Sequence, residues 1–211
     1  MRTRRIYKIA ALVFLTLAAL GGLWLHGGFG KGTAPASGGS DLSIQLADNA
    51  HFQQDDPRWA AMPMGGSLVG DRLGPAGCTV TSVAMAMTNL GHPFDPGQLT
   101  TALNAENGFT QRSWLIWDAV PRVAKGAVRI DIHQEPALDK IDACLARGDY
   151  PVVKFYLYKI VPHWAVLVGK HQGTYFMRDP LIDEPNPVPL TRRTSVIYSV
   201  RCIGKANPRT I

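Results

Sequence analysis

The sequence lacks the features that define several specialised classes of protein. It has only 3 cysteines in 211 residues, and only 18% of its residues are charged. These numbers exclude a disulfide-rich scaffold and a highly charged disordered chain. Only one stretch is long and apolar enough to cross a bilayer, which argues against a polytopic transporter. The length and the 46% hydrophobic content instead predict one globular domain with an appendage.

Two further patterns are missing from the sequence. It has no stripe of Lys and Arg with interleaved aromatic residues, so we predict no nucleic-acid partner. It has no cluster of histidines and carboxylates at metal-ligand spacing, so we predict no metal and no cofactor. The net charge is +6, but five of the basic residues and only two acids precede His51. Half of the charge therefore belongs to the N-terminal region.

The N-terminal region contains an uncharged apolar run from Ile9 to Leu25. Its 17 residues would span about 26 Å as a helix, which is about enough to cross a bilayer core. Basic residues precede the run: Arg2, Arg4, Arg5 and Lys8. Only Lys31 follows it closely, so the charge bias predicts a cytoplasmic N-terminus. We interpret residues 1–28 as a signal anchor that holds the rest of the chain outside the plasma or inner membrane as a single-pass protein.

A cleavable signal peptide is the competing interpretation of this segment. Ala34-Pro35-Ala36 has the small residues of a cleavage site, but it lies well beyond the apolar run and contains a proline. Residues 29–50 are rich in Gly, Ser, Ala and Pro toward their start, which predicts a flexible linker. The globular domain is then expected to occupy residues 51–211.

Hydrophobic periodicity within this domain predicts helices first and an antiparallel sheet afterwards, which is an α+β fold. The predicted helices are Thr79–Leu90, a short helix capped by Asp95 and running through Leu103, Trp114–Ala124, and Pro136–Arg147. The predicted strands are Val128–Ile132, Val152–Leu157, His163–Lys170, Thr174–Arg178 and Ser195–Ile203. Gln172-Gly173 is typical of a tight turn that joins two of these strands.

Cys78 stands between a glycine-rich loop and the predicted Thr79–Leu90 helix. A thiol at a helix N-terminus lies near the positive end of the helix dipole, which favours the nucleophilic thiolate. The neighbouring glycines would allow a substrate to approach closely. A small buried cysteine in the core is the alternative reading of the same position.

A thiolate nucleophile needs a proton-transferring partner, which is usually a histidine. His163 opens an apolar strand directly after Pro162, so a rigid element would hold its ring at the sheet end. Each of the other histidines has a position typical of a solvated or capping residue: His26, His51, His92, His133 and His171.

Asp179 ends the strand that follows the His163 strand. In a hairpin the start of one strand lies beside the end of the next, so His163 and Asp179 are expected to meet. Asp179 could then accept a hydrogen bond from the His163 Nδ1–H group and stabilise the imidazolium. A simple Asp-Pro turn is the alternative reading.

Stabilisation of an oxyanion also requires hydrogen-bond donors. The backbone N–H of Cys78 is one candidate. The side-chain amide of Gln54 is a second, and Gln53 is an alternative that the sequence leaves open.

These residues stand in ordered motifs that resemble a known family. The motifs are Phe52–Trp59, then Gly77-Cys78-Thr79-Val80-Thr81-Ser82-Val83-Ala84-Met85, then His163–Gly169, then Asp179-Pro180. They resemble the standalone C39-like cysteine peptidases, bacterial relatives of the double-glycine leader peptidases within the papain-like group. The resemblance implies a papain-like fold in which a nucleophile helix packs on an antiparallel sheet. It also implies a catalytic set of Gln54, Cys78, His163 and Asp179.

The resemblance further implies a cysteine peptidase that hydrolyses amide bonds in a peptide or protein substrate. The sequence departs from the family at Thr79-Val80-Thr81, where Gly-Pro-Thr commonly follows the cysteine, and it has no transporter domains. A leader peptide, a secreted protein and a cell-wall peptide all remain open as substrates, as does an exporter as partner. Acyl or peptidyl transfer by the same residues and a non-catalytic peptide-binding domain are the alternative functions.

The odd cysteine count leaves at least one thiol unpaired within the chain. Cys144 falls on a predicted helix and Cys202 on the last predicted strand. They could pair in an oxidising compartment or remain two separate buried thiols.

Overall fold

The computed structural model describes residues 32–65 and 70–206. The predicted membrane anchor, residues 1–28, lies outside these ranges. Within them, no helix is long and apolar enough to span a bilayer.

An antiparallel sheet forms the centre of the domain. Its path of hydrogen-bonded strands is β3-β9-β4-β5-β6-β7, and β2 pairs with β5 beside this path. The short strands β1 and β8 pair separately. The strands are β1 (Ala34–Pro35), β2 (Ile44–Gln45), β3 (Val128–His133), β4 (Tyr150–Leu157), β5 (Val161–His171), β6 (Thr174–Arg178), β7 (Val188–Pro189), β8 (Val196–Ile197) and β9 (Ser199–Lys205).

Five helices accompany the sheet in the described residues. They are α1 (Leu73–Ala76), α2 (Cys78–Asn89), α3 (Pro96–Ala105), α4 (Ala119–Val123) and α5 (Leu138–Ala146). The Asp95 side chain accepts a hydrogen bond from the Gln98 N–H, and the Oε1 atom of Gln98 accepts one from the Asp95 N–H. This capping box and Pro96 at the first helical position fix the start of α3.

Alternating side chains of the central strands face two separate hydrophobic clusters. Val152, Val166 and Val168 pack in the cluster that contains buried residues of α2. Val153 and Leu167 pack in the other cluster, with residues of α5. Because side chains alternate along a strand, both faces of β4 and β5 are largely apolar and buried.

Two local expectations from the sequence need correction. The predicted Trp114–Ala124 helix is limited to α4, because residues 109–115 form a loop closed by the Phe109–Leu115 bridge. In that loop Ser113 has a φ of 58°, which a helix does not allow. The predicted Ser195–Ile203 strand is divided at Tyr198 into β8 and β9.

The largest correction concerns the predicted flexible linker over residues 29–50. From Thr33 onward the chain belongs to the folded unit. Ala34 pairs with Ile197, and Ile44 pairs with Lys170. The folded unit therefore begins at Thr33, before the predicted domain start at His51.

Polar contacts also attach this N-terminal segment to the domain. The N–H and hydroxyl of Ser40 donate to Asp142 at 2.8 and 2.7 Å, and Lys170 and Tyr175 bind the same carboxylate. The composition of the segment, which lacks hydrophobic periodicity, gave no indication of these long-range partners.

A disulfide joins Cys144 of α5 to Cys202 of β9. Both sulfur atoms are buried within the fold. Of the two arrangements that the sequence left open, a disulfide or two separate thiols, the structure has the disulfide. Cys78 is the free cysteine.

Candidate active site

Cys78 is the first residue of α2, and 9% of its surface is exposed. Gly77 precedes it at the N-cap. A Cβ atom at Gly77 would collide with the backbone carbonyl and side chain of Leu73, so the close approach of α1 and α2 requires glycine. The thiol therefore stands at the N-terminal end of a buried 12-residue helix.

His163 and Asp179 form a buried pair. The Nε2 atom of His163 lies 2.7 Å from Oδ1 of Asp179. The exposed fraction is 3% for the His163 side chain and 0% for the Asp179 side chain. The sequence-based prediction assigned this hydrogen bond to Nδ1, which is wrong. Asp179 lies on the Nε2 side of the ring, so Nδ1 is the ring nitrogen that remains for a second partner.

That second partner is Cys78. Burial lowers the pKa of His163, but the hydrogen bond to Asp179 and the interaction with the Cys78 thiol outweigh it and raise the pKa to about 9. The imidazolium is therefore favoured at neutral pH. A protonated histidine beside a thiol stabilises the thiolate.

The carboxylate of Asp179 has further partners. Oδ1 also accepts a hydrogen bond from the Leu181 N–H at 2.9 Å, so the residue forms the Asp-Pro turn as well as the histidine pair. Oδ2 lies 3.0 Å from Nε of Arg193, in an ion pair whose angles are not those of a hydrogen bond. Burial alone would raise the pKa of Asp179, but His163, the Leu181 N–H and Arg193 together lower it.

Gln54 is 4% exposed and belongs to the same site. Its backbone N–H donates to the Pro180 carbonyl at 3.0 Å, and its Nε2 donates to the Gly74 carbonyl at 2.6 Å. A primary amide carries two N–H donors, so one donor of Gln54 remains for another acceptor.

Gln53, the alternative, points elsewhere. Its Nε2 lies 2.9 Å from both the Ile182 carbonyl and a ring nitrogen of His51. It does not line the cleft that contains Cys78.

A cleft of about 460 Å³ opens over these residues. Gln54, Cys78 and His163 line it together. Its walls are largely apolar and include Met64, Trp114, Leu115, Trp117, Leu157 and Trp164. Because 65% of Trp114 is exposed, the aromatic wall reaches the outer surface.

Two arginines support this site, and sequence reasoning missed both. Arg193 faces Asp179, as described above. The guanidinium of Arg201 lies 5.2 Å from the ring centre of Trp117 and 5.5 Å from that of Trp164. Neither arginine belongs to a motif, and each meets its partners only in the folded chain, so no sequence signal could have identified them.

One group of potential metal ligands occurs in the described part of the chain: Cys144, Asp149 and Cys202. The two sulfur atoms are joined in the disulfide and are therefore not thiolate ligands.

Comparisons with known proteins give a similarity of fold. No family model matches the chain, and no curated protein matches its sequence. The fold is similar to the crystal structure of a candidate C39-like peptidase from Bacillus anthracis, with a TM-score of 0.51. The alignment covers 79% of this chain and 100% of that chain at 16% sequence identity. At this identity the match shows a mixed α/β fold with an antiparallel sheet, shared with a C39-like peptidase.

Proposed function

We propose that this protein is a papain-like cysteine peptidase. The observation that carries the proposal is the shared cleft, in which the free thiol at the start of α2 interacts with a histidine that a buried carboxylate holds. The fold similarity to a C39-like peptidase supports the same class of enzyme.

In the proposed reaction, the Cys78 thiolate attacks the carbonyl carbon of a peptide bond. The imidazolium of His163 then donates its proton to the leaving amine, and a thioester remains on Cys78. The neutral imidazole next removes a proton from water, which attacks the thioester and releases the carboxylic acid. Asp179 orients the ring and stabilises its protonated form.

The oxyanion of each tetrahedral intermediate needs donors. The Cys78 backbone N–H and the second N–H of the Gln54 amide are the proposed pair. The hydrogen bond from Gln54 to Gly74 fixes the amide, so its remaining donor is oriented before the substrate binds.

We further propose that residues 1–28 anchor the enzyme in the plasma or inner membrane, with the domain on the periplasmic or extracellular side. The charge bias around the apolar run supports this orientation. The Cys144–Cys202 disulfide is consistent with an oxidising compartment. The proposed partners are accordingly a peptide or protein substrate and the membrane.

Alkylation of Cys78 tests the proposal without knowledge of the substrate. An ordinary thiol has a pKa near 8.5 and reacts slowly at pH 5.5, whereas a thiolate–imidazolium pair reacts quickly. We expect iodoacetamide to label the wild-type protein at pH 5.5 and the Cys78→Ala protein not at all. A wild-type thiol that reacts only above about pH 8 would contradict the proposal.

The Cys78→Ala protein also provides a route to the substrate, because it should bind the substrate without cleaving it. A peptide recovered with this variant should be cleaved by the wild-type enzyme. Cleavage in the presence of an added amine separates two reactions: a free carboxylic acid indicates hydrolysis, and an amide with the amine indicates acyl transfer.

A further inference from the structure

Arg193 faces the outer oxygen of Asp179, on the side away from His163. Its Nε lies 3.0 Å from Oδ2 of Asp179. The Arg193 side chain is 24% exposed, whereas the Asp179 side chain is completely buried. The arginine thus separates the buried carboxylate from solvent.

The backbone around Arg193 is itself fixed. The residue follows a 3-10 helix, Leu190–Arg192, and its N–H donates to the Leu190 carbonyl at 3.0 Å. Leu190 is fully buried in the second hydrophobic cluster. The core therefore fixes the backbone position from which the Arg193 side chain extends.

Other charged groups near Asp179 are already paired. Arg178, the preceding residue on β6, binds Asp48 and the carbonyl groups of Glu184 and Pro185. Arg192 binds the side chain of Glu184 at the surface. In the part of the chain that the structure describes, His163 and Arg193 are the two cationic side chains paired with Asp179.

A carboxylate without a cation is unstable in a buried environment, because desolvation favours its neutral, protonated form. A protonated Asp179 could not stabilise the imidazolium of His163. The carboxylate plane must also present Oδ1 to Nε2, and a cation on Oδ2 fixes that plane.

We propose that Arg193 is a positioning residue of the active site, which keeps Asp179 ionised and holds its Oδ1 toward His163. This inference rests on the proposed peptidase function. Arg193 acts through Asp179 and does not touch the substrate, since it does not line the cleft.

The test compares three variants of the full chain: Arg193→Ala, Arg193→Lys and Arg192→Ala. The last is a matched control, because it removes a neighbouring arginine whose partner is Glu184. The rate of Cys78 alkylation by iodoacetamide is measured from pH 4 to pH 9, together with the melting temperature of each protein.

We expect the loss of reactivity at low pH to move upward by about one pH unit in Arg193→Ala, because Asp179 then protonates more readily. Arg193→Lys should restore most of the wild-type profile, and Arg192→Ala should leave it unchanged. In an Asp179→Asn background, Arg193→Ala should produce no further shift, since the two residues act through one carboxylate.

An Arg193→Ala profile that coincides with the wild-type profile would overturn the inference, even if the melting temperature falls, because a purely structural arginine would have that effect. If Arg193→Ala does not fold, Arg193→Gln takes its place and is compared with Arg193→Lys. The inference then predicts an upward shift of the pH profile in Arg193→Gln but not in Arg193→Lys, and coinciding profiles would overturn it. A wild-type protein without reactivity at low pH would instead overturn the peptidase proposal itself.

Discussion

The backbone N–H of Gln54 donates a hydrogen bond to the carbonyl of Pro180, at 3.0 Å. This bond links the proposed oxyanion donor to the turn that directly follows Asp179. The two segments are far apart in the sequence, and each contributes one side chain to the site. The position of the proposed donor is thereby coupled to the position of the proposed acid.

The Gln54 amide can be tested against its neighbour. We expect Gln54→Ala to lower kcat about 10²- to 10³-fold with little change in KM, because the donor acts on charge that develops in the transition state. Gln53→Ala is the control, since its amide binds Ile182 and His51 outside the cleft. Steady-state hydrolysis of a peptide recovered with Cys78→Ala provides the measurement. Equal losses in the two variants would argue against the assignment of Gln54.

The pKa of His163 gives a prediction for the pH profile. With a pKa of about 9, the imidazolium that is proposed to protonate the leaving amine persists through neutral pH. We therefore expect kcat/KM to decline on the alkaline side near pH 9. Asp179→Asn removes a charge that raises this pKa, so the alkaline limb should move toward 6.5, the ordinary value for histidine. An unchanged alkaline limb in Asp179→Asn would show that another group is responsible for it.

The same pair should make stability depend on pH. The pKa of His163 is raised in the folded state, from 6.5 to about 9, so its contribution is complete below pH 6.5 and is lost as the pH rises through 9. Asp179 has a lowered pKa, so its contribution is lost only at acid pH, below about 3.8. Urea denaturation at pH 6 and pH 9.5 should show a larger loss of stability for the wild type than for His163→Phe. Equal losses in both proteins would remove the pair as the cause.

The disulfide between Cys144 and Cys202 should contribute strongly to stability. It closes a chain segment with a sequence separation of 58, and loop-closure entropy for such a segment corresponds to about 4 kcal/mol. The double variant Cys144→Ala/Cys202→Ala should lose about that much unfolding free energy in urea denaturation. It should still be alkylated at Cys78 at pH 5.5 under conditions where it remains folded. Wild-type stability in the double variant would contradict the expectation.

The sequence predicts the elements whose signal is local. The N-cap at Asp95, the helix after Cys78 and the apolar strands on both sides of the Gln172-Gly173 turn are all confirmed within a few residues. Each depends on periodicity or on turn residues within a short window, and tertiary packing does not override them. The catalytic roles of the four site residues stay a prediction.

The sequence does not predict features that depend on distant partners. Residues 33–50 have the composition of a flexible segment, yet backbone pairing to β5 and β8 and the Ser40–Asp142 contact bind them to the domain. Arg193 reaches Asp179 only because the 3-10 helix and β6 meet in the folded chain. The ring nitrogen that binds Asp179 likewise depends on the orientation of the His163 side chain in the folded protein, which a sequence pattern does not specify.

The pairing of residues 33–50 with the sheet changes what the proposed tether contains. Only residues 26–32 remain between the apolar run and the folded unit. In an enzyme anchored as proposed, residues 33–50 would therefore belong to the folded unit and not to the tether, and deleting them would remove sheet pairing instead of shortening a linker.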